Sequence, residues 1–597
     1  MSKTITTLIL AMLAILTGTA QSVFYVSNST GDDSYPGTSW SQAFKTIQPA
    51  LNAAATAAGT DGASEVWIAQ GTYILTAQLA MKDRVSVYGG FVGNENLLSQ
   101  RSTDPSLTIL DGNHTNRIMY QTAAFKVPVI WSCFTIQNGY FQEATTTGAI
   151  GGGAAVIRAN TTIENCIIKD NTANLNGGGV YIYGGGLLLN CVIEGNTIFR
   201  ESNTRQLGGG VYINNNGGGT GKVESCIFKN NHSQTLESAD SYSRGGGLYT
   251  NGGDAINCIF IDNTAHTGGG LYAYSSDQAG ASNIINCKFY NNVAANRGGG
   301  IYTSTLSYEK TIYNTIVNCI VANNTSKNDH GGGIYATGRT DNTNTYANRI
   351  INTTIVRNTT EKIPTIEQPD TAYAGVYSSQ GSFFMNSIIW GNEVTAATGK
   401  KQFFQKSYKY ARFVNCAIQD LVDPDDFDGL DTAFTVRTGL ISLTADNSTV
   451  AFKNPSAIAG KDGAGWETAD WTITNASVCT NAGVLSYSDE LDGTFAASAP
   501  ILDINGVERG TSPSIGATEE VVVDGIRNVL NNHSIYIYGN DIITSTTGVI
   551  KVYNMSGLEV IRKRTFGKIS VDLISGIYIV LLTDDFGNNT IQKIQVK

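Results

Sequence analysis

The chain has 597 residues, too many for one compact core, with 15% charged residues, 41% hydrophobic residues and 66 glycines. That balance excludes general disorder and points to several domains or a repeat architecture. A net charge of −10 and a pI near 5.1 argue against nucleic acid as a partner.

Residues 1–20 read as an export signal: Lys3 is the early charge, Leu8 to Leu16 form a short apolar run, and "TGTAQ" offers cleavage after Ala20. No later apolar stretch reaches membrane-spanning length, so no transmembrane segment is expected in the mature chain. Next come a strand, a turn and a helix, with Pro49 at the first helical position and Gly59 as the stop. The small apolar face Leu51, Ala54, Ala55 and Ala58 suits a lid over the open end of a β structure. "EVWIAQGTYIL" and "RVSVYGGFVGNENLLSQR" then open a series of short strands.

From there the chain repeats. Cys133, Cys166, Cys191, Cys226, Cys258, Cys287 and Cys319 are separated by 33, 25, 35, 32, 29 and 32 residues. Thr353, Ser387 and Cys416 continue the register. Five residues after each slot stands an asparagine: Asn138, Asn171, Asn196, Asn231, Asn263, Asn292, Asn324, Asn358 and Asn392; only Leu421 breaks the rule. Slot-plus-two is apolar, as at Ile168, Phe228 and Phe289, so slot and slot-plus-two share one strand face. Cysteine then acts as a small core residue interchangeable with Thr or Ser, in a ladder of free thiols rather than a disulfide framework. The asparagines fit a second ladder, their amides bonding along the stack at a bend. A second strand opens with glycines, "GGGVY" at Gly177 and Gly208, "GGGLY" at Gly245 and Gly268, and "GGGIY" at Gly298 and Gly331. The residue after the glycines should point in and the following tyrosine out. Repeats of this length without helical period give an all-β solenoid, a right-handed parallel β-helix.

After Glu519 the composition changes, and residues 526–597 read as a series of alternating strands.

The opening run "TSWSQAFKTIQPAL…EVWIAQGTY…VSVYGGFVGNE…TILDG" resembles that of exported pectin-lyase-like β-helix proteins common in Bacteroidetes. "DINGVERGTSPSIGATE", Asp503 to Glu519, is similar to their closing signature, so the resemblance spans roughly residues 23–519. The GGG and Asn units resemble those of polymorphic outer-membrane adhesins. "VYNMSGLEV", "SGIYIVLL" and the final "KIQVK" resemble the C-terminal sorting domain of type IX secretion. With the export signal at 1–20, these resemblances imply a β-helix with its capping helix over 21–519 and, at 526–597, a sorting domain, a small C-terminal β-sandwich that engages the secretion machinery. They also imply a protein that is secreted or attached to the outer-membrane surface.

Chemistry is sparse. His114, His232, His266, His330 and His533 are scattered, and "GGGLY" lacks the residues of a phosphate loop. "DPDDFDGLD" is dense in carboxylates but fails the calcium-loop order, so no cofactor is assigned and calcium lacks a specific motif. Arg339, Arg349 and Arg357 cluster without acidic partners in register. The remaining ligand-binding candidates are the outward Tyr181, Tyr212, Tyr249, Tyr272, Tyr302, Tyr335 and Tyr377, either stacking on sugars or covering one another and the sheet. The expected function is adhesion or recognition of extracellular glycans or cell-surface partners. The alternative is a polysaccharide lyase or glycoside hydrolase on the same fold.

Overall fold

A computed structural model describes residues 22–142, 151–200, 206–235, 243–306, 312–338, 348–361, 375–378, 382–395, 402–405, 412–419, 421, 436–488, 496–519, 535–538, 541–554, 559–570, 576–584 and 589–596. The export signal and "DPDDFDGLD" lie outside the described residues.

The solenoid is a parallel β-helix of four sheets. In chain order around each coil they are sheet I with 14 strands, sheet II with 13, and sheets III and IV with 11 each. Every pairing between coils is parallel, and like residues stack on like: Phe228, Phe260 and Phe289 are partners, with ring centroids 4.6 Å apart at each step. Two left-handed corners turn each full coil. Asn257, Asn286 and Asn318, immediately before the slot, have φ of 54°, 54° and 57°. Asp262, Asn291 and Asn323, four after the slot, have φ of 56°, 59° and 57°. Asn and Asp tolerate this region better than other side chains, which explains the first letter of every "NC".

The slot itself is explained by one hydrogen bond. Cys258 Sγ donates to the Ile256 carbonyl at 3.2 Å, Thr353 Oγ1 to Ile351 at 3.1 Å and Ser387 Oγ to Met385 at 3.0 Å. A small side chain with one donor satisfies the same buried carbonyl, so three residue types interchange. All nine cysteines are buried and free, and burial pushes the Cys416 and Cys479 thiols up to about 12.

The lid helix, α1, runs from Ile47 to Ala58 and packs against strands Ser22–Val26 and Ser64–Ala69. It begins two residues earlier than expected, with Pro49 third in the helix. Asp33 makes this possible by accepting from the backbone amides of Lys45 and Thr46 at 2.9 and 2.8 Å. Gly59, at φ 57°, ends it.

The last coil closes at Leu443, and residues 444–519 do not continue the helix. The described residues among them, 444–488 and 496–519, fold back along the outside of sheets I and II as a lateral strap. Phe452, Trp471, Ile473, Ile515 and Ala517 cover the outward Ile320, Val356, Ile388 and Trp390 of sheet II. The corner asparagines hold the strap's backbone. Asn318 donates to Leu502 at 2.6 Å, Asn386 to Val484 at 2.7 Å, Asn415 to Ala482 at 3.0 Å and Asn323 to Ile458 at 3.0 Å. A buried Arg509–Glu519 ion pair locks the end, Arg509 also donating to Asn318 Oδ1 at 2.8 Å.

In the C-terminal region the described residues form one five-stranded antiparallel sheet, with Ile542, Ile550, Val552, Tyr578, Val580 and Leu582 on its buried face. Among the described residues no helix is long and apolar enough to cross a membrane.

Candidate functional site

The two predicted ladders differ in what they do. Asn171, Asn196, Asn231, Asn263, Asn292 and Asn324 are fully buried and bonded in series. Each Nδ2 donates to the next Oδ1 at 2.9 to 3.0 Å, and on through Asn358 to Asn392. Where Leu421 breaks the register, Gln402 substitutes and accepts from Asn392 at 2.9 Å. Asn138 stands outside the ladder: it takes a left-handed φ of 55° and donates to Asp111. Cys166, Cys191, Cys226, Cys258, Cys287 and Cys319 are core thiols bonded to carbonyls. Both ladders are scaffold.

The tyrosine column lies on the outer face of sheet IV, yet it is not an exposed row. Tyr181, Tyr212, Tyr249, Tyr272, Tyr335 and Tyr377 are between 3% and 6% exposed, and Tyr302 is half-buried. The rings pack on one another with centroids 4.5 to 5.2 Å apart, edge to face from Tyr181 to Tyr249 and stacked from Tyr249 to Tyr377. At the coil spacing each ring fills the gap above its neighbour, which leaves no free face for a sugar. Burial pushes the Tyr181 and Tyr302 hydroxyls up to about 12.

Two arginines and a histidine cap this column. Arg244 lies over Tyr272 at 5.1 Å and Arg297 over Tyr335 at 5.3 Å, while His330 stacks on Tyr377 at 4.5 Å. Arg297 pairs with Asp329, whose other oxygen is 3.0 Å from His330 Nε2. His266 Nε2 meets Asn296 Nδ2 at 3.3 Å. Burial, then Arg297 and Arg244, lowers the His266 pKa and so disfavours its charged form.

Counting forward from the cysteine hides this cluster, because the loop between slot and glycines varies in length. Counting back from the glycines reveals it. The residue before each triplet is Asn176, Leu207, Arg244, Thr267, Arg297 and His330 in turn. The strand register stacks Arg244 on Thr267 and Thr267 on Arg297. Arg244, Arg297 and His330 each cover the tyrosine of the following coil. The triplet positions the row: its first glycine has φ of 66° to 75°. A Cβ on the second would meet the next coil's carbonyl, at 2.3 Å for Gly246.

At the N-terminal end of the same corner is a cleft of about 430 Å³ lined by Gln78, Thr115, Asn116, Arg117, Tyr140, Phe141 and Gln142. Met119 pairs with Ala155 and Ala155 with Val180, which puts Arg117 where later coils carry the middle glycine. Its guanidinium donates to the Gly151 and Gly152 carbonyls at 2.9 Å each and lies 3.7 Å from the Phe141 ring centre. The Tyr140 hydroxyl donates to Gln142 at 2.8 Å. Hydroxyl, amide and guanidinium groups beside an aromatic ring suit a polar, ring-shaped ligand.

Of the three arginines clustered in the sequence, two are engaged by neighbouring side chains. Arg357 lies over Trp390 and pairs with Glu393 at 3.6 Å, so it does have an acidic partner, supplied by the next coil. Arg349 lies 3.4 Å over Tyr313, and Arg339 lies outside the described residues. Among the described residues no three His, Cys, Asp or Glu side chains converge to hold a metal ion.

The fold and this corner define a parallel β-helix repeat protein. Residues 286–304, the part of one coil from Asn286 through Arg297 and the glycines to Ser304, match the Chlamydia polymorphic membrane protein repeat. The crystal structure of pectate lyase Pel9A aligns over 83% of this chain and 96% of that one, at 14% identity and a TM-score of 0.37. No curated protein matches the chain.

Proposed function

We propose that the protein is a cell-surface β-helix that recognises a saccharide along the corner between sheets III and IV. The carrying observation is the cleft around Arg117 and Phe141, at the same corner of the coil that carries Arg244, His266, Asn296 and Arg297 further along the rod. The repeat matched at 286–304 is named for membrane proteins, which supports a surface location. Export by the N-terminal signal and sorting by residues 526–597 belong to the same reading. So does an anchored or secreted final state.

Saccharide-array binding of the full chain tests it, with Phe141→Ala and Gln78→Ala as cleft variants. Both should weaken any captured saccharide about tenfold or more, the loss of one or two good contacts. Undiminished binding by both removes the cleft. One arrangement favours the enzymatic alternative: Asp329 sits between Arg297 and His330, an acid–base grouping of the kind a lyase or hydrolase needs. Release of new reducing ends from a polysaccharide, abolished in Asp329→Asn, would establish it.

A further inference from the structure

The strap shows how the outer corner between sheets I and II holds an extended chain. Its asparagines sit at left-handed φ, 57° at Asn318, 47° at Asn352 and 49° at Asn386, and their amides meet the strap's backbone. Asn352 Nδ2 donates to the Ser514 and Gly516 carbonyls at 3.2 Å each. Asn386 grips both backbone groups of Val484, donating at 2.7 Å and accepting at 3.0 Å. Aliphatic columns flank the corner: Met385, Ile351 and Val317 on sheet I, Ile388 and Ile320 on sheet II.

This track outruns the strap. The sheet I column continues in register through Ile285 to Ile256, and the sheet II column through Lys288 to Ile259 and Ile227. Lys288 interacts by charge with Asp470 and Asp503 of the strap, and at this corner the strap goes no further among the described residues. The apolar clusters beneath it take in Tyr290 but neither Ile256 nor Ile259, which are half-buried. The corner is unfinished at the same coil. Asn318 Nδ2 donates to Asn286 Oδ1 at 3.0 Å and Asn286 Nδ2 to Asn257 Oδ1 at 3.1 Å, whereas Asn257 Nδ2 has no partner among the described residues. The strap's leading edge is apolar and bare, with Ile501 76% exposed next to Leu502, whose carbonyl Asn318 holds.

The chain leaves the strap pointed along this track. The Gly516 amide donates to the Asn386 carbonyl at 2.7 Å, and the Ala517 amide to Thr354 Oγ1 at 2.9 Å, one coil nearer the N-terminal end. The Glu519 amide then donates at 2.7 Å to Asp503, which lies near Lys288. Next in sequence come Glu520, Val521, Val522, Val523 and Asp524, outside the described residues. Coils repeat at about 4.8 Å and an extended residue advances about 3.3 Å, so three valines suffice for the coils of Cys258 and Cys226.

We infer that residues 520–524 continue the strap onto this track, with the valines over Ile256, Ile259 and Ile227 and a backbone carbonyl on Asn257 Nδ2. The tether to the C-terminal sheet then starts from the flank of the rod rather than from its end.

Hydrogen exchange of the full chain tests the docking. The amides of 521–523 should exchange about tenfold or more slower than in a free peptide of the same sequence. Ile259→Asp, a change on the outer face, should release them while the coils of Cys166 and Ser387 keep their protection. Val521→Asp with Val523→Asp should release them equally. Ile167→Asp, further along the same column and beyond the segment's reach, should not. Free exchange of 521–523 in the wild-type chain, or protection that survives Ile259→Asp, would overturn the inference. So would protection that appears only at high protein concentration, the sign that a second copy covers the track.

Discussion

Asn263→Ala should destabilise the solenoid at its middle. The side chain is fully buried, and its Oδ1 accepts from the Asn231 backbone amide at 3.0 Å and from Asn231 Nδ2 at 2.9 Å. Its own Nδ2 donates to Phe228 O and to Asn292 Oδ1, both at 2.9 Å. Alanine leaves the Asn231 amide and the Phe228 carbonyl with a lost partner in a dry interior. At about 1–3 kcal/mol for each unsatisfied group, the cost is about 3 kcal/mol. In a solenoid that loss is local, because each coil touches only its neighbours. Hydrogen exchange is therefore the right assay: amides of the coils around Cys226 and Cys258 should exchange on the order of a hundredfold faster, with coils near Cys166 and Ser387 unchanged. Asn263→Asp should be at least as damaging, since it places a carboxylate against two acceptors. Wild-type exchange in Asn263→Ala would refute the reasoning that the ladder bears on stability.

Removing the strap's anchor with Trp471→Ala, a side chain 3% exposed against Phe452 at 5.4 Å, should cost about 3–5 kcal/mol. Limited proteolysis should then cut within 444–519 while the coils survive. Burial pushes the Asp503 carboxyl up to about 6 against opposing backbone amides and Arg509, so the folded strap holds the proton more tightly than the unfolded chain does. A raised carboxylate pKa costs stability above that pKa and recovers it as pH falls. Strap protection should thus increase from pH 7 to pH 4.5, by about 2–3 kcal/mol, and Asp503→Asn should flatten the profile. Alkylation without reductant should leave the native thiols unmodified and label all nine cysteines once the chain is unfolded; protection in the unfolded chain would indicate disulfides.

The repeat was legible because its units obey one register: slot, slot-plus-two and slot-plus-five fall on fixed points of a strand and a corner. Strand periodicity translates those intervals directly into inward and outward faces. The tyrosines show the limit. "Outward" follows from alternation at Val180 and Tyr181, but "exposed" does not, because stacked neighbours and overlying arginines cover the ring. The cation row was hidden by variable loops that break any count made from the cysteine. The strap had no repeat to announce it, yet a trace exists. Outward positions of sheet II change from Lys169, Glu194 and Lys229 to Ala322, Val356 and Trp390, the mark of a face that is covered. Asn138 was misplaced because Cys133 itself occupies a left-handed corner with φ 65°, which displaces the asparagine from the ladder.

The most direct test of the corner as a recognition surface is equilibrium saccharide binding by the full-length chain, compared with Phe141→Ala and with Arg297→Ala. The account predicts saturable binding that falls about tenfold or more in Phe141→Ala and less in Arg297→Ala, whose native side chain is 43% exposed. Binding of equal strength in all three proteins would contradict it.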